Sequence, residues 1–363
     1  MRSFGRHFIV VVALLAVAVS LFAQDKPKQE PKEEVLRVDT SLVSIDVVVT
    51  SKTGSRSPAN LKAEDFVVYE DGVRQKVENF AATEAPFNVA LLIDTSGSTK
   101  DEMDLLKKAA RRFLSEMRPQ DRIAIIELNQ RVTVLEELTA DRDKLEHAID
   151  FLQSGTGTAF YDALQIVTDE VFKNVDGRKA IIALTDGVDS TGGATYSEIL
   201  PEMEKSRVTT YILEVNTESL TEKGMMMDCN DEKSFHFSRK QLKKYLHEYA
   251  EGVDDTQYQD HCDLSRLERM QINRRLYESA RKELREISAQ TGGRVYPCKY
   301  LSEIEPAYTQ IAAELRTQYS LGYSPKNEKR DGKWRKISVK VNPPRGLPRL
   351  NVRSKEGYYA IPQ

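Results

Sequence analysis

The sequence predicts a mixed α/β fold, in which a doubly wound, mostly parallel sheet is inserted into a small all-β sandwich. Three observations predict it. Both ends of the chain read as short strands with tight turns, and between them short apolar runs alternate with amphipathic helices. Neither end is long enough to bury a core alone, so the two are expected to pair with each other.

With 363 residues the chain has room for two or three domains, at roughly 100–200 residues each. A hydrophobic content of 40% beside 30% charged residues excludes bulk disorder. Net charge is −3, and Lys and Arg are spread along the chain with no basic stripe, which argues against nucleic-acid binding.

In chain order, Arg2 and Arg6 precede an apolar run from Phe8 to Phe22, and a charged stretch opens after Ala23. That is the layout of a secretory signal peptide over residues 1–23, shorter than the roughly 18 apolar residues of a spanning helix. It predicts export to the periplasm or the exterior. Leu21 is not ideal three positions before the cut, which leaves an uncleaved anchor as the alternative. Residues 24–34 read as a Pro-containing charged linker.

Residues 35–85 carry β texture. Val43, Ile45, Val47 and Val49 occupy one face of a strand, Asp65–Glu70 forms a second, and Asp71-Gly72 turns the chain into a return strand over Val73–Phe80. Residues 86–317 alternate strand and helix. The strands are read at Asn88–Ile93, Arg122–Leu128, Arg131–Leu135 (an edge), Lys179–Leu184, Val208–Val215 and Arg294–Tyr296. The helices are read at Asp101–Arg118, Arg142–Leu152, Phe160–Phe172, Tyr196–Ser206, Arg281–Gln290 and Ser302–Thr317. This is a Rossmann-like rhythm. Residues 318–363 return to strands at Gln318–Tyr323, Trp334–Val341 and Leu350–Ser354.

Residues 217–275 interrupt the rhythm with a highly charged, helical segment. Cys229 and Cys262 both lie in it and are the preferred disulfide pair, with Cys298 left over; none has zinc-ligand spacing.

The chemistry gathers where strands end. Asp94, Ser96 and Ser98 alternate in an extended loop straight after a buried strand, so their side chains point the same way. Gly97 lets the loop turn between them. The strand ending at Leu184 runs into Thr185-Asp186-Gly187 at the same end of the sheet, where open α/β sheets bind ligands. The loop Gly155-Thr156-Gly157-Thr158 offers a further hydroxyl. Carboxylates and hydroxyls are hard donors, suited to Mg²⁺, Mn²⁺ or Ca²⁺ rather than zinc or copper. Two carboxylates are few for a dedicated calcium cage, and an octahedral ion held this way keeps an exchangeable position.

The stretches IDTSGSTKDEM, GTGTAFYDAL and IIALTDGVDS, with the helix order between them, resemble a von Willebrand factor type A domain. The resemblance implies a metal-ion-dependent adhesion site made of Asp94, Ser96, Ser98, Thr158 and Asp186, with Thr158 rather than Thr156 as the loop hydroxyl. It implies a divalent cation, Mg²⁺ first, and a partner protein that presents Asp or Glu. The flanking DFVVYEDGVRQ and YSLGYSPK stretches are similar to exported acidobacterial proteins with this domain. Adhesion or complex assembly is therefore the expected function, and no catalytic residue is assigned. A metal-assisted hydrolase would need a base beside the activated water; of the five His, only His236, His247 and His261, all in the insert, are candidates. The third alternative is a structural envelope protein with an incidental ion. The insert follows a strand that runs toward the metal end, so it is expected beside the site, forming part of its surface or covering it.

Overall fold

The computed structural model describes residues 42–51, 61–81, 86–97, 103–231, 233–250, 258, 260–342 and 350–360. The expected signal segment, the linker and Ser98 lie outside the described residues. Residues 41–363 form one compact unit.

The chain opens with β1 (Val43–Ser51), β2 (Phe66–Glu70), β3 (Val73–Gln75) and β4 (Asn79–Ala81). The α/β part follows as β5 (Phe87–Asp94), α1 (Met103–Glu116), β6 (Arg122–Leu128), β7 (Val132–Thr139), α2 (Arg142–Asp150), α3 (Phe160–Ile166), β8 (Arg178–Thr185), α4 (Tyr196–Lys205) and β9 (Val208–Val215). Helices α5 (Glu218–Met225), α6 (Arg239–Tyr249) and α7 (Arg266–Gln290) lead to β10 (Arg294–Cys298) and α8 (Ile304–Leu315). The chain closes with β11 (Gln318–Tyr323), β12 (Trp334–Val341), β13 (Leu350–Ser354) and β14 (Gly357–Tyr359).

The central sheet runs β10-β9-β8-β5-β6-β7, parallel except for the antiparallel edge strand β7. Every residue of β5 is buried, and alternate residues serve opposite faces. Val89, Leu91 and Ile93 pack with Leu106 and Phe113 of α1, Leu145 of α2 and Tyr308 and Ile311 of α8. Ala90 and Leu92 pack with Phe160 and Leu164 of α3, Ile199 and Met203 of α4 and Leu284 and Ile287 of α7. From β5 the chain moves to β6 on one side, then crosses back to β8 on the other. The strand order therefore reverses between β5 and β8.

The two ends of the chain build two antiparallel sheets, β13-β1-β11-β4 and β14-β12-β2-β3. β1 lies between two C-terminal strands, with Val43 opposite Tyr323 and Val47 opposite Ser354. Ile45, Val47, Val49, Phe66, Val68, Tyr319, Leu321 and Ile337 share the core between the sheets. The Asp71-Gly72 turn has φ of 47° and 80°, the doubly left-handed turn that a two-residue hairpin needs.

The expected return strand Val73–Phe80 is in fact two. β3 pairs with β2 as far as Gln75, and β4 crosses to the other sheet and pairs with β11. The break is held by the buried Gln75 side chain, whose Oε1 accepts from the Lys326 amide at 3.1 Å, and by the Glu78 amide, which donates to the Gly322 carbonyl at 2.8 Å. The helix expected at Arg281 starts earlier, at Arg266. Ser265 caps it by accepting from the Glu268 amide, and the Glu268 carboxylate accepts from the Ser265 amide.

The insert, charged as it is, also packs apolar side chains. Met225, Phe237, Leu242, Tyr245, Leu264, Ile272 and Leu276 form a small core of their own, and Val188 of the loop after β8 packs against it. A disulfide joins Cys229 to Cys262 beneath it. His261 is buried there, and burial with the positive Arg269 nearby pushes its imidazole down to about 4, so the ring is uncharged at neutral pH.

Candidate metal centre

Asp94 is the last residue of β5 and Thr185 the last of β8, so the loops that follow meet where the strand order reverses. Asp94 Oδ1 accepts from the Ser96 amide at 3.0 Å, a turn that folds the Asp-x-Ser loop back on its carboxylate. Asp94 Oδ2 accepts from the Thr185 hydroxyl at 2.8 Å, and Thr185 Oγ1 in turn accepts from the Gly187 amide at 3.0 Å. Thr185 thereby ties the two carboxylate-bearing loops together. The Thr95 carbonyl accepts from the Gly155 amide at 2.8 Å, which brings the third loop to the same place.

Thr158 is fixed by its backbone. Its amide donates to Ser190 Oγ at 2.9 Å, and its carbonyl accepts from the amides of Ser190 at 2.8 Å and Thr191 at 3.0 Å. The loop that carries Asp186 therefore clamps the loop that carries Thr158. Thr156 is exposed and turns its hydroxyl to Gln130 at 3.1 Å, away from this cluster. Asp94, Ser96, Thr158 and Asp186 are thus brought together and all buried, at 2%, 6%, 5% and 9% exposure. Ser98 is outside the described residues.

Two buried carboxylates at one sheet end repel each other. Burial, and next the charge of Asp186, push the Asp94 carboxyl up to about 7, and burial raises Asp186 as well. Asp186 makes no ion pair among the described residues. Its Oδ1 accepts from the Val188 amide at 2.9 Å, and its Oδ2 accepts from the hydroxyls of Thr217 and Tyr277. This donor set is all hard oxygen, and a divalent cation between the carboxylates would offset the charge that burial penalises. The residues present fit such an ion.

Sequence reasoning did not single out Thr217, Tyr277 or Phe235, which close the site from the insert side. Thr217 Oγ1 lies 2.8 Å from the Tyr277 hydroxyl, so the two act as one unit on Asp186. Phe235 sits between two glycines. A Cβ on Gly97 would be 3.9 Å from its ring, and one on Gly224 would run into it. Lys240 of α6 pairs with buried Asp189 and donates to the carbonyls of Thr191 and Ala194, both at 2.8 Å. The insert therefore lies on the loop that bears Asp186. Tyr277 is sixty residues from Thr217 in sequence, and no local pattern links them. Thr217 had one signal, its place as the first residue of the insert.

Residues 88–250 match the model of the von Willebrand factor type A domain family. No curated protein matches the chain. Among solved structures, the chain is similar to the vWF domain of the type V pili tip protein Mfa5 from Porphyromonas gingivalis, at 23% identity over 29% of this chain and 38% of that one, with a TM-score of 0.27. It is similar to BatB from Bacteroides thetaiotaomicron, at 17% identity over 64% of this chain and all of that one, TM-score 0.39. It is also similar to proximal thread matrix protein 1 from the mussel byssus with a zinc-occupied MIDAS motif, at 16% identity over 68% of this chain and 49% of that one, TM-score 0.43. The chain thus spans less than half of the pilus-tip and mussel chains. The matched residues carry β5 to β9 of the doubly wound sheet, with β10 beyond them, and the chain contains a von Willebrand factor type A domain over residues 88–250.

Proposed function

We propose that the chain is an exported, metal-dependent protein-binding module, working in adhesion or complex assembly and not as an enzyme. Its ligands are Asp94, Ser96, Ser98, Thr158 and Asp186, its cation is Mg²⁺ with Mn²⁺ or Ca²⁺ as substitutes, and its partner presents an Asp or Glu side chain. The observation that carries this reading is the buried carboxylate pair at the switch point between β5 and β8, surrounded by hydroxyls and amides. The cation supplies a Lewis-acidic position that an incoming carboxylate can fill.

The protein's own residues set the terms of access. Thr185 orients Asp94, and Ser190 holds Thr158 by its backbone. Thr217 and Tyr277 occupy Asp186 Oδ2, and Phe235 lies against the Gly97 loop. We read this as the covered form, in which the insert has to shift before a partner carboxylate reaches the ion.

The test is thermal unfolding with chelator and with Mg²⁺. Mg²⁺ at a hundred times its Kd should stabilise the wild type by about 2.7 kcal/mol and leave Asp94→Ala unchanged. Pull-downs from the native envelope fraction, with Mg²⁺ and with chelator, should recover a partner only with the metal. Equal Mg²⁺ stabilisation of both proteins, or turnover in a hydrolase screen that Asp94→Ala removes, would overturn the reading.

A further inference from the structure

The insert holds a second group of metal-type donors, with chemistry opposite to that of the first. Cys229 Sγ and one ring nitrogen each of His236 and His261 lie within 4.8 Å of one another. Cys262 Sγ is bonded to Cys229 Sγ and so borders the same cluster. The sequence hid this group, since six residues separate Cys229 from His236 and a further twenty-four precede His261. The fold closes that gap. The imidazole planes of His236 and His261 stack at 4.8 Å and 10°.

Three features beyond proximity point to a ligand. His261 is 2% exposed, and its Nε2 has no hydrogen-bond partner among the described residues. A buried ring nitrogen without a partner is costly unless something binds it. One wall is apolar, with the Phe237 ring 5.1 Å from that of His261. Buried Arg269 donates to Cys229 Sγ at 3.5 Å and to the Cys262 carbonyl at 3.3 Å, so a cation already faces the sulfur and favours its thiolate form.

We propose that Cys229, His236, His261 and Cys262 form a redox-gated zinc site, closed as a disulfide and open to one Zn²⁺ once the disulfide is reduced. Reduction takes two electrons from a dithiol, which leaves as its own disulfide. Each cysteine then carries one proton, and Zn²⁺ displaces both as two thiolates bind. Two thiolates and two neutral imidazoles are a standard tetrahedral zinc set, with Zn–S near ~2.3 Å and Zn–N near ~2.0–2.1 Å. Those bonds place ligand atoms roughly 3.3–3.8 Å apart, so the imidazole nitrogens draw in by up to about 1 Å while the two freed sulfurs move apart. Binding through His261 Nε2 moves the ring proton to Nδ1 and gives up the 3.4 Å bond that Nδ1 accepts from the Phe237 amide. Zinc thus replaces the disulfide as the staple of the insert, and it does so next to Phe235, which lies against the Gly97 loop. The proposal does not depend on the hard-oxygen site. No sulfur lies in that site, so a sulfur signature separates the two.

The experiment titrates Co²⁺ and then Zn²⁺ into the full chain, oxidised and after reduction by a phosphine that adds no competing thiol. The reduced chain should bind one Co²⁺ with a thiolate-to-cobalt charge-transfer absorption and tetrahedral ligand-field bands, and Zn²⁺ should erase both. The oxidised chain should show neither. Exposed His236 allows a variant that leaves the core intact, and His236→Ala should weaken Zn²⁺ binding at least tenfold. Cys229→Ser should lose most of the charge-transfer absorption. The proposal is overturned if the reduced chain shows no charge-transfer band, if His236→Ala binds Zn²⁺ as tightly as the wild type, or if the oxidised chain binds just as well.

Discussion

Asp189 shows how single charges fasten the insert to the loop that bears Asp186. Its side chain is 1% exposed and pairs with Lys240 of α6. Burial outweighs the attraction of Lys240 and pushes the carboxyl from the usual 3.8 up to about 6. The folded state therefore holds the proton more tightly than the unfolded chain. The stability this provides is full below about pH 4 and is lost as pH rises through about 6, by up to roughly 3 kcal/mol for a shift of that size. Urea unfolding at stepwise pH should show wild type losing stability relative to Asp189→Asn across that window. Parallel profiles for the two proteins would sink the prediction. Gly187 is constrained differently. Its φ is +73°, and a Cβ there would lie 2.6 Å from Leu284 Cδ1. Gly187→Ala should cost about 2–4 kcal/mol, from left-handed strain and overpacking together. A lower urea midpoint at unchanged m would show it, and a midpoint within experimental error of wild type would refute it.

At the scale of elements, legibility followed periodicity. The spans of β6, β9, β11, β12 and β13 coincide with what alternation and apolar runs predict, because apolar residues mark one or both faces of each strand. β14 was not legible, since Gly357–Tyr359 is only three residues and has meaning only beside Trp334–Lys336. The Asp-x-Ser loop, Thr158 and Asp186 were legible because they follow buried strands or open a helix. Thr217, Tyr277 and Phe235 were not, because they reach the site by tertiary packing of the insert. That packing depends on the disulfide, which closes a separation of 33 residues. Chain entropy over a loop of that size makes the bond worth about 3–4 kcal/mol. The double variant Cys229→Ser, Cys262→Ser should therefore raise amide exchange in α5, in α6 and at the start of α7, while β5 and β8 keep their protection. Uniformly faster exchange through the central sheet would show instead that the insert and the sheet open together.

For the whole molecule, the question is whether the sandwich and the α/β part unfold as one body. The contacts between them include several polar side chains at or near the boundary. Arg178, the first residue of β8, is 7% exposed, lies 3.8 Å over the Phe87 ring, and donates to the carbonyls of Leu315 and Gln318, both at 3.0 Å. Those carbonyls mark the passage from α8 into β11. Arg353 of β13 pairs with Glu314 of α8, and Gln318 donates to Thr209 of β9 at 3.3 Å. A side chain buried on both sides of a boundary couples them, since neither part can leave without stranding polar groups of the other. The single tryptophan, Trp334 in β12, stacks edge-on against Tyr359 and so reports the sandwich alone, while far-UV circular dichroism is dominated by the helices of the α/β part. In the wild type the two signals should fall in one coincident transition. Arg178→Ala strands two carbonyls and removes the cation from the Phe87 face, a loss of about 3–5 kcal/mol. Because that loss sits at the boundary, fluorescence should then move ahead of circular dichroism. Two separate transitions in the wild type, or coincident ones retained in Arg178→Ala, would place the coupling elsewhere.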